Sequence, residues 1–159
     1  MDTTETTPEE LAPKWMRIAR AYESIGVVEV PGLDANPLIQ MFFMYTQLKG
    51  RAAARSDETP WCSAAACACM EQAGVKSPRH ALARRWENWG LELDRPVYGC
   101  VAVLWTGTPD SRQGHVGFYV GTLANGDLVL LGGNQRNQLI ERSYAGERLL
   151  SFRWPNPLT

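Results

Sequence analysis

The chain has 159 residues, 45% of them hydrophobic and 21% charged, with a formal net charge of -1. That length suits one domain with a real core. The near-neutral charge and the lack of a long basic run argue against nucleic acid or an anionic membrane as the main partner, and no apolar run is long enough to span a bilayer.

The first ten residues, Met1 to Glu10, are polar and acidic. They lack the basic start and apolar core of a secretion signal. Residues 1–12 therefore read as a flexible tail, and 13–159 as a single domain. The chain is expected to be made in a cytoplasm without a signal peptide and to reach any other place of action by release or delivery. Trp15, Ile18, Ala19, Tyr22 and Ile25 recur at helical spacing, and Gly26 ends that run. Val27 to Pro37 reads as a loop, and Ile39, Phe42, Phe43 and Tyr45 mark a second helix. A second loop, Gly50 to Asp57, precedes Thr59-Pro60-Trp61-Cys62.

There Thr59 suits an N-cap and Pro60 the first helical position, which places Cys62 third in a helix that stops near Gly74. Free N–H groups and the helix dipole favour a thiolate at such a position. Ala64, Ala65, Ala66 and Ala68 let the helix lie deep in the domain. His80 reads as a solvated loop residue, and Ala81 to Trp89 as a short helix with Leu82, Trp86 and Trp89 on one side. Strands follow: Cys100 to Trp105, His115 to Gly121, Leu128 to Leu131, Leu139 to Tyr144 and Leu149 to Trp154. Asn125-Gly126 is a hairpin signal between the second and third of these. Gly132-Gly133-Asn134-Gln135 reads as breaking the third. Helices first and a strand meander afterwards give an α+β domain.

The four cysteines, Cys62, Cys67, Cys69 and Cys100, match no common zinc spacing, and a reduced compartment disfavours disulfides. No metal is expected. His115 opens a strand, with the small Gly117 on its face. A helix-start thiol and a strand-start imidazole can form an ion pair whose thiolate is a nucleophile. A third polar group then orients the ring. Asn134, across the hairpin, is placed for that role, and Gln135 is the competing orienter.

Pro60-Trp61-Cys62-Ser63, Gly114-His115-Val116-Gly117-Phe118-Tyr119 and Gly132-Gly133-Asn134-Gln135 resemble the three motifs of NlpC-type and CHAP-type cysteine peptidases. The resemblance covers about Pro13 to Pro155. It is closest to a small phage- and bacterium-associated subgroup with a Glu-x-Pro-Gly loop followed by Asn-Pro, matched by Glu29, Pro31, Gly32, Asn36 and Pro37. The resemblance implies a papain-like α+β fold, with N-terminal helices packed on a five- to six-stranded antiparallel sheet. It makes Cys62 the nucleophile, His115 the base and Asn134 the orienter. Two departures stand out. Cys100 follows Gly99 where relatives have Asp, and Gly132 stands where some have Glu. The pair Asp57-Glu58 is the other source of a carboxylate, with Glu58 as the auxiliary candidate, although a charge pair favouring the helix dipole explains it better.

The expected activity is peptidoglycan hydrolysis of the endolysin kind, as an endopeptidase or an N-acetylmuramoyl-L-alanine amidase, by a monomer with no cofactor. Trp61, Trp89 and Trp105 are candidates for the substrate groove. Two other readings compete: a catalytically silent domain that binds wall or partner, and an injected antibacterial toxin with an immunity protein.

Overall fold

Helix α3 (Cys62–Gln72) is the centre of the molecule, and every residue from Cys62 to Met70 is buried. A helix apolar on all sides can only be an interior one. The computed structural model describes residues 11–31, 35–56 and 59–158. Around α3 pack α1 (Lys14–Ile25), α2 (Pro37–Phe43) and one face of a sheet. Gly26 closes α1 in the left-handed conformation at φ 75. Asn36 caps α2 through its side chain, which accepts from the Leu38 N–H, and Pro37 follows at the first helical position. No helix among the described residues is long and apolar enough to cross a membrane.

Six antiparallel strands form the sheet in the order β1-β6-β2-β3-β4-β5: β1 (Leu91–Leu93), β2 (Val101–Trp105), β3 (Gly114–Thr122), β4 (Leu128–Gln135), β5 (Gln138–Tyr144) and β6 (Leu149–Trp154). The fold is thus α+β with a six-stranded antiparallel sheet. Alternation divides β2 between two clusters. Val101 and Val103 face the helices, while Cys100, Ala102 and Leu104 join Leu128, Leu130, Tyr144 and Phe152 on the opposite face. Register shifts at Val103/Leu104, Tyr119/Gly121 and Gly132/Gln135 bend the sheet around this second cluster.

Several elements differ from expectation. α3 begins two residues late: Trp61 is the residue before the helix, Cys62 is its first residue, and Thr59 makes no cap. Thr59 Oγ1 instead donates to the Ala53 carbonyl. The stretch expected as a helix from Ala81 to Trp89 is a 3-10 helix over Ala83–Asn88, and Leu82 is exposed rather than packed beside the two tryptophans. β1 was not expected, because three residues paired only to β6 leave no periodic signal. Gly132 to Gln135 does not break β4 but continues it through a bulge. Of the expected tail, residues 1–10 lie outside the described residues, Leu11 is exposed, and Ala12 packs against the core.

β4 and α3 approach each other closely at Gly133. A Cβ there would stand 2.6 Å from the Trp61 ring and 2.8 Å from Ala65 Cβ. Only glycine fits, and this contact sets how near the nucleophile helix lies to the sheet.

Candidate active site

Cys62 owes its place to two sets of contacts. Ahead of it, Trp61 is fully buried and donates its indole N–H to Glu29 Oε1 at 2.8 Å. The Glu29 segment is itself held on β5, through Glu29 N–H to the Asn137 carbonyl and Leu139 N–H to the Val27 carbonyl. Behind it, Ser63 Oγ donates to the His80 carbonyl at 2.6 Å and accepts from the Trp86 indole at 2.8 Å. His80 is a half-buried loop residue whose backbone carbonyl anchors the first turn of α3, while its ring Nδ1 accepts from the Leu82 N–H. Cys62 is 5% exposed. Burial pushes its pKa up, against the opposing pull of backbone N–H groups of Val116, Ser63 and Cys62 itself. Val116 directly follows His115, so the thiol meets β3 one residue from the imidazole.

His115 is the second residue of β3, paired with Leu104, and is 8% exposed. Its Nε2 lies 2.8 Å from Gln135 Oε1. The Gln135 amide N–H groups are committed to the Leu130 and Ile140 carbonyls. With both donors taken, the amide can offer His115 only its oxygen. Nε2 therefore carries the proton, and Nδ1 keeps its lone pair. Tyr144 stacks on the ring with centroids 4.9 Å apart, and its hydroxyl lies 3.1 Å from Nε2. Leading into His115, the loop between β2 and β3 is pinned by Arg84, whose guanidinium donates to the carbonyls of Pro109, Ser111 and Gln113.

Burial dominates the electrostatics of the ring. It lowers the His115 pKa from 6.5 to about 4, opposed by the Gln135 hydrogen bond and assisted by the Arg148 and Arg142 charges. Both shifts, the thiol's up and the imidazole's down, favour a neutral pair. They oppose the ion pair anticipated from the sequence, and no hydrogen bond joins Sγ to the ring. Apo catalytic contacts are commonly loose in this way.

The same shift predicts a pH dependence of stability. The unfolded His115 takes up its proton near 6.5, whereas the folded one resists until about 4. Stability from this group is complete above 6.5 and is lost as pH falls between those values, by about 3 kcal/mol. Urea titrations at pH 7 and pH 4 should show that loss in the wild type and much less of it in His115→Gln; parallel pH profiles would contradict it.

The third residue differs from the first choice. In an unbroken strand Asn134 would share the face of Leu130 and Gly132, the face toward which His115 points. The β4 bulge inserts one residue between the Gly132–Ile140 and Gln135–Gln138 pairs, with Asn134 in the left-handed region at φ 54. One extra residue passes the face on to Gln135. Asn134 is half-buried and makes no hydrogen bond to His115; Gln135 is fully buried and does.

The other candidates separate. Glu58 lies outside the described residues. Trp61 is wholly buried and lines no groove. Trp89 packs edge-on against Trp86 and donates to the Lys76 carbonyl. Trp105 does stand beside the site, under the Arg148 guanidinium. Sequence reasoning missed Glu29's role on Trp61, and it missed Tyr144, Arg142 and Arg148. Cys67, Cys69 and Cys100 are free, buried thiols whose pKa values burial raises.

The chain matches no family model and no curated protein.

Proposed function

We propose that the protein is a cysteine-dependent peptidoglycan hydrolase of papain-like design, in which Cys62 is the nucleophile, His115 the base and Gln135 the orienter. The observation that carries this reading is the fixed tautomer of His115. A ring held at Nε2–H by Gln135 Oε1 presents a basic Nδ1, and the Cys62 thiol on α3 meets the backbone N–H of Val116, the next residue along β3.

The steps follow from those groups. His115 Nδ1 takes the Cys62 proton as Sγ attacks the carbonyl carbon of a wall-peptide amide. Gln135 Oε1 accepts from Nε2–H throughout and stabilises the imidazolium. The Cys62 N–H, at the helix start and beside the thiol, is the candidate oxyanion donor. The imidazolium then protonates the leaving amine, and water hydrolyses the thioester. Because burial favours the neutral form of both groups, proton transfer is expected to accompany attack rather than precede it. The substrate class comes from the motif resemblance. A phage lysis enzyme and an injected toxin would share these steps and differ only in delivery and in the need for an immunity protein.

One observation favours the silent binding domain instead: Cys62 is only 5% exposed, and its thiol makes no hydrogen bond to the imidazole. Acid-quenched intact-mass analysis during turnover of soluble wall peptides discriminates between the two. The hydrolase gives an acyl adduct on the Cys62 peptide. Binding of those peptides with neither adduct nor product would establish the silent domain.

A further inference from the structure

Positive charge gathers on the Tyr144 ring that stacks on His115. Arg142 Cζ lies 5.3 Å from the Tyr144 ring centroid, and Arg148 Cζ lies 5.3 Å from the same ring and 5.9 Å from that of Trp105. Arg148 is held in place by Nε–H to the Trp105 carbonyl at 3.0 Å and by a long contact to Thr106 Oγ1. Neither guanidinium has a carboxylate partner among the described residues, whereas Arg20, Arg79 and Arg84 all do. The neighbouring acids do not help: Glu141 is taken by Arg20, and Glu147 pairs with neither arginine.

Two guanidiniums with no carboxylate partner among the described residues work against the buried base beside them, since each makes a protonated His115 less favourable. A base that must accept a proton during attack gains if an anion arrives with the substrate and cancels that field. Arg148 is also preorganised between two rings, so little side-chain freedom is lost when it grips an acid group.

We propose that Arg142 and Arg148 form a carboxylate subsite that selects wall peptides carrying a free acid group close to the scissile amide. The proposal rests on the hydrolase reading for its substrate class, but its test does not need turnover. The full chain carrying Cys62→Ala is titrated with an N-acetyl-alanyl-γ-glutamyl-lysine peptide bearing a free α-carboxylate, and with the same peptide as its α-carboxamide. The expected result is at least tenfold weaker binding of the amide. Arg142→Gln or Arg148→Gln on the Cys62→Ala background should shrink that preference to about threefold or less, and Arg148→Lys should restore only part of it. Arg142 is exposed and holds no backbone group, so Arg142→Gln decides the matter even if Arg148→Gln fails to fold.

Equal binding of acid and amide, no binding of the acid, or a preference unchanged in Arg142→Gln would overturn the subsite. Wall digestion by the wild-type chain is scored separately. Digestion without acid preference removes the subsite alone; acid preference without digestion of any wall substrate removes the hydrolase and leaves an anion-binding site.

Discussion

Cys62→Ala is expected to abolish wall hydrolysis while leaving the fold in place. Cys62 is the first residue of α3, where alanine is well suited, and it takes part in none of the contacts that anchor that turn. Those run through Trp61 to Glu29 and through Ser63 to His80 and Trp86. The substitution removes one buried sulfur and should cost about 1 kcal/mol, a shift of a few degrees in Tm. Loss of the nucleophile removes the acyl-enzyme route altogether, so turnover should fall by roughly 10⁴-fold or more. Release of soluble fragments from wall suspensions, followed beside thermal unfolding, checks both halves. Turnover retained within tenfold in a folded Cys62→Ala protein would end the nucleophile assignment. Alkylation should also be slow at neutral pH, because all four thiols are buried and shifted upward.

The second large effect belongs to Gln135, and it is paired with a small one at Asn134. Gln135→Met keeps the volume of a fully buried side chain but withdraws the acceptor from His115 Nε2 and the donors from two carbonyls. The ring then loses the contact that selects its tautomer. Removing a buried orienting contact to a group that becomes charged during the reaction costs about 2–4 kcal/mol, or roughly thirtyfold to a thousandfold in rate. Some loss of stability accompanies it, since the Leu130 and Ile140 carbonyls are left unpaired. Asn134→Gly keeps the left-handed backbone of the bulge and touches no contact of the ring, so its turnover should stay within about threefold of wild type. The reverse pattern, with Asn134→Gly crippled and Gln135→Met near normal, would return the role to Asn134.

That pair of residues also shows where sequence legibility ends. The Ala-rich run made α3 and its burial readable, and Asn125-Gly126 marked the hairpin that brings β4 beside β3. In fact Gly126 alone takes the left-handed position there, at φ 88, and Asn125 Oδ1 accepts from the Asp127 N–H. The identity of the third residue depended on parity along β4. Strand alternation assumes an unbroken ladder, and one bulge residue reverses it. A hint was present, because Gly132-Gly133-Asn134 are residue types that tolerate irregular backbone, but nothing local fixes which residue bulges.

The helix start was misread by two residues for a different reason. Thr59 and Pro60 have the chemistry of a helix start, but Thr59 is drawn to the Ala53 carbonyl instead. Trp61 reads as an exposed groove residue only if nothing else claims its indole N–H; Glu29, 32 positions away, does. The cationic cluster was invisible because Trp105, Arg142, Tyr144 and Arg148 converge from the end of β2, from β5 and from the turn before β6. Each alone is an ordinary surface or strand residue.

Digestion of purified peptidoglycan, with mass spectrometry of the released fragments, tests the central claim most directly. A Cys62–His115–Gln135 hydrolase must break an amide, so each new end should be a carboxyl and an amine, gained with one water. Cys62→Ala should release neither. Fragments bearing new reducing sugar ends, or intact wall after prolonged incubation with folded wild-type protein, would contradict the assignment.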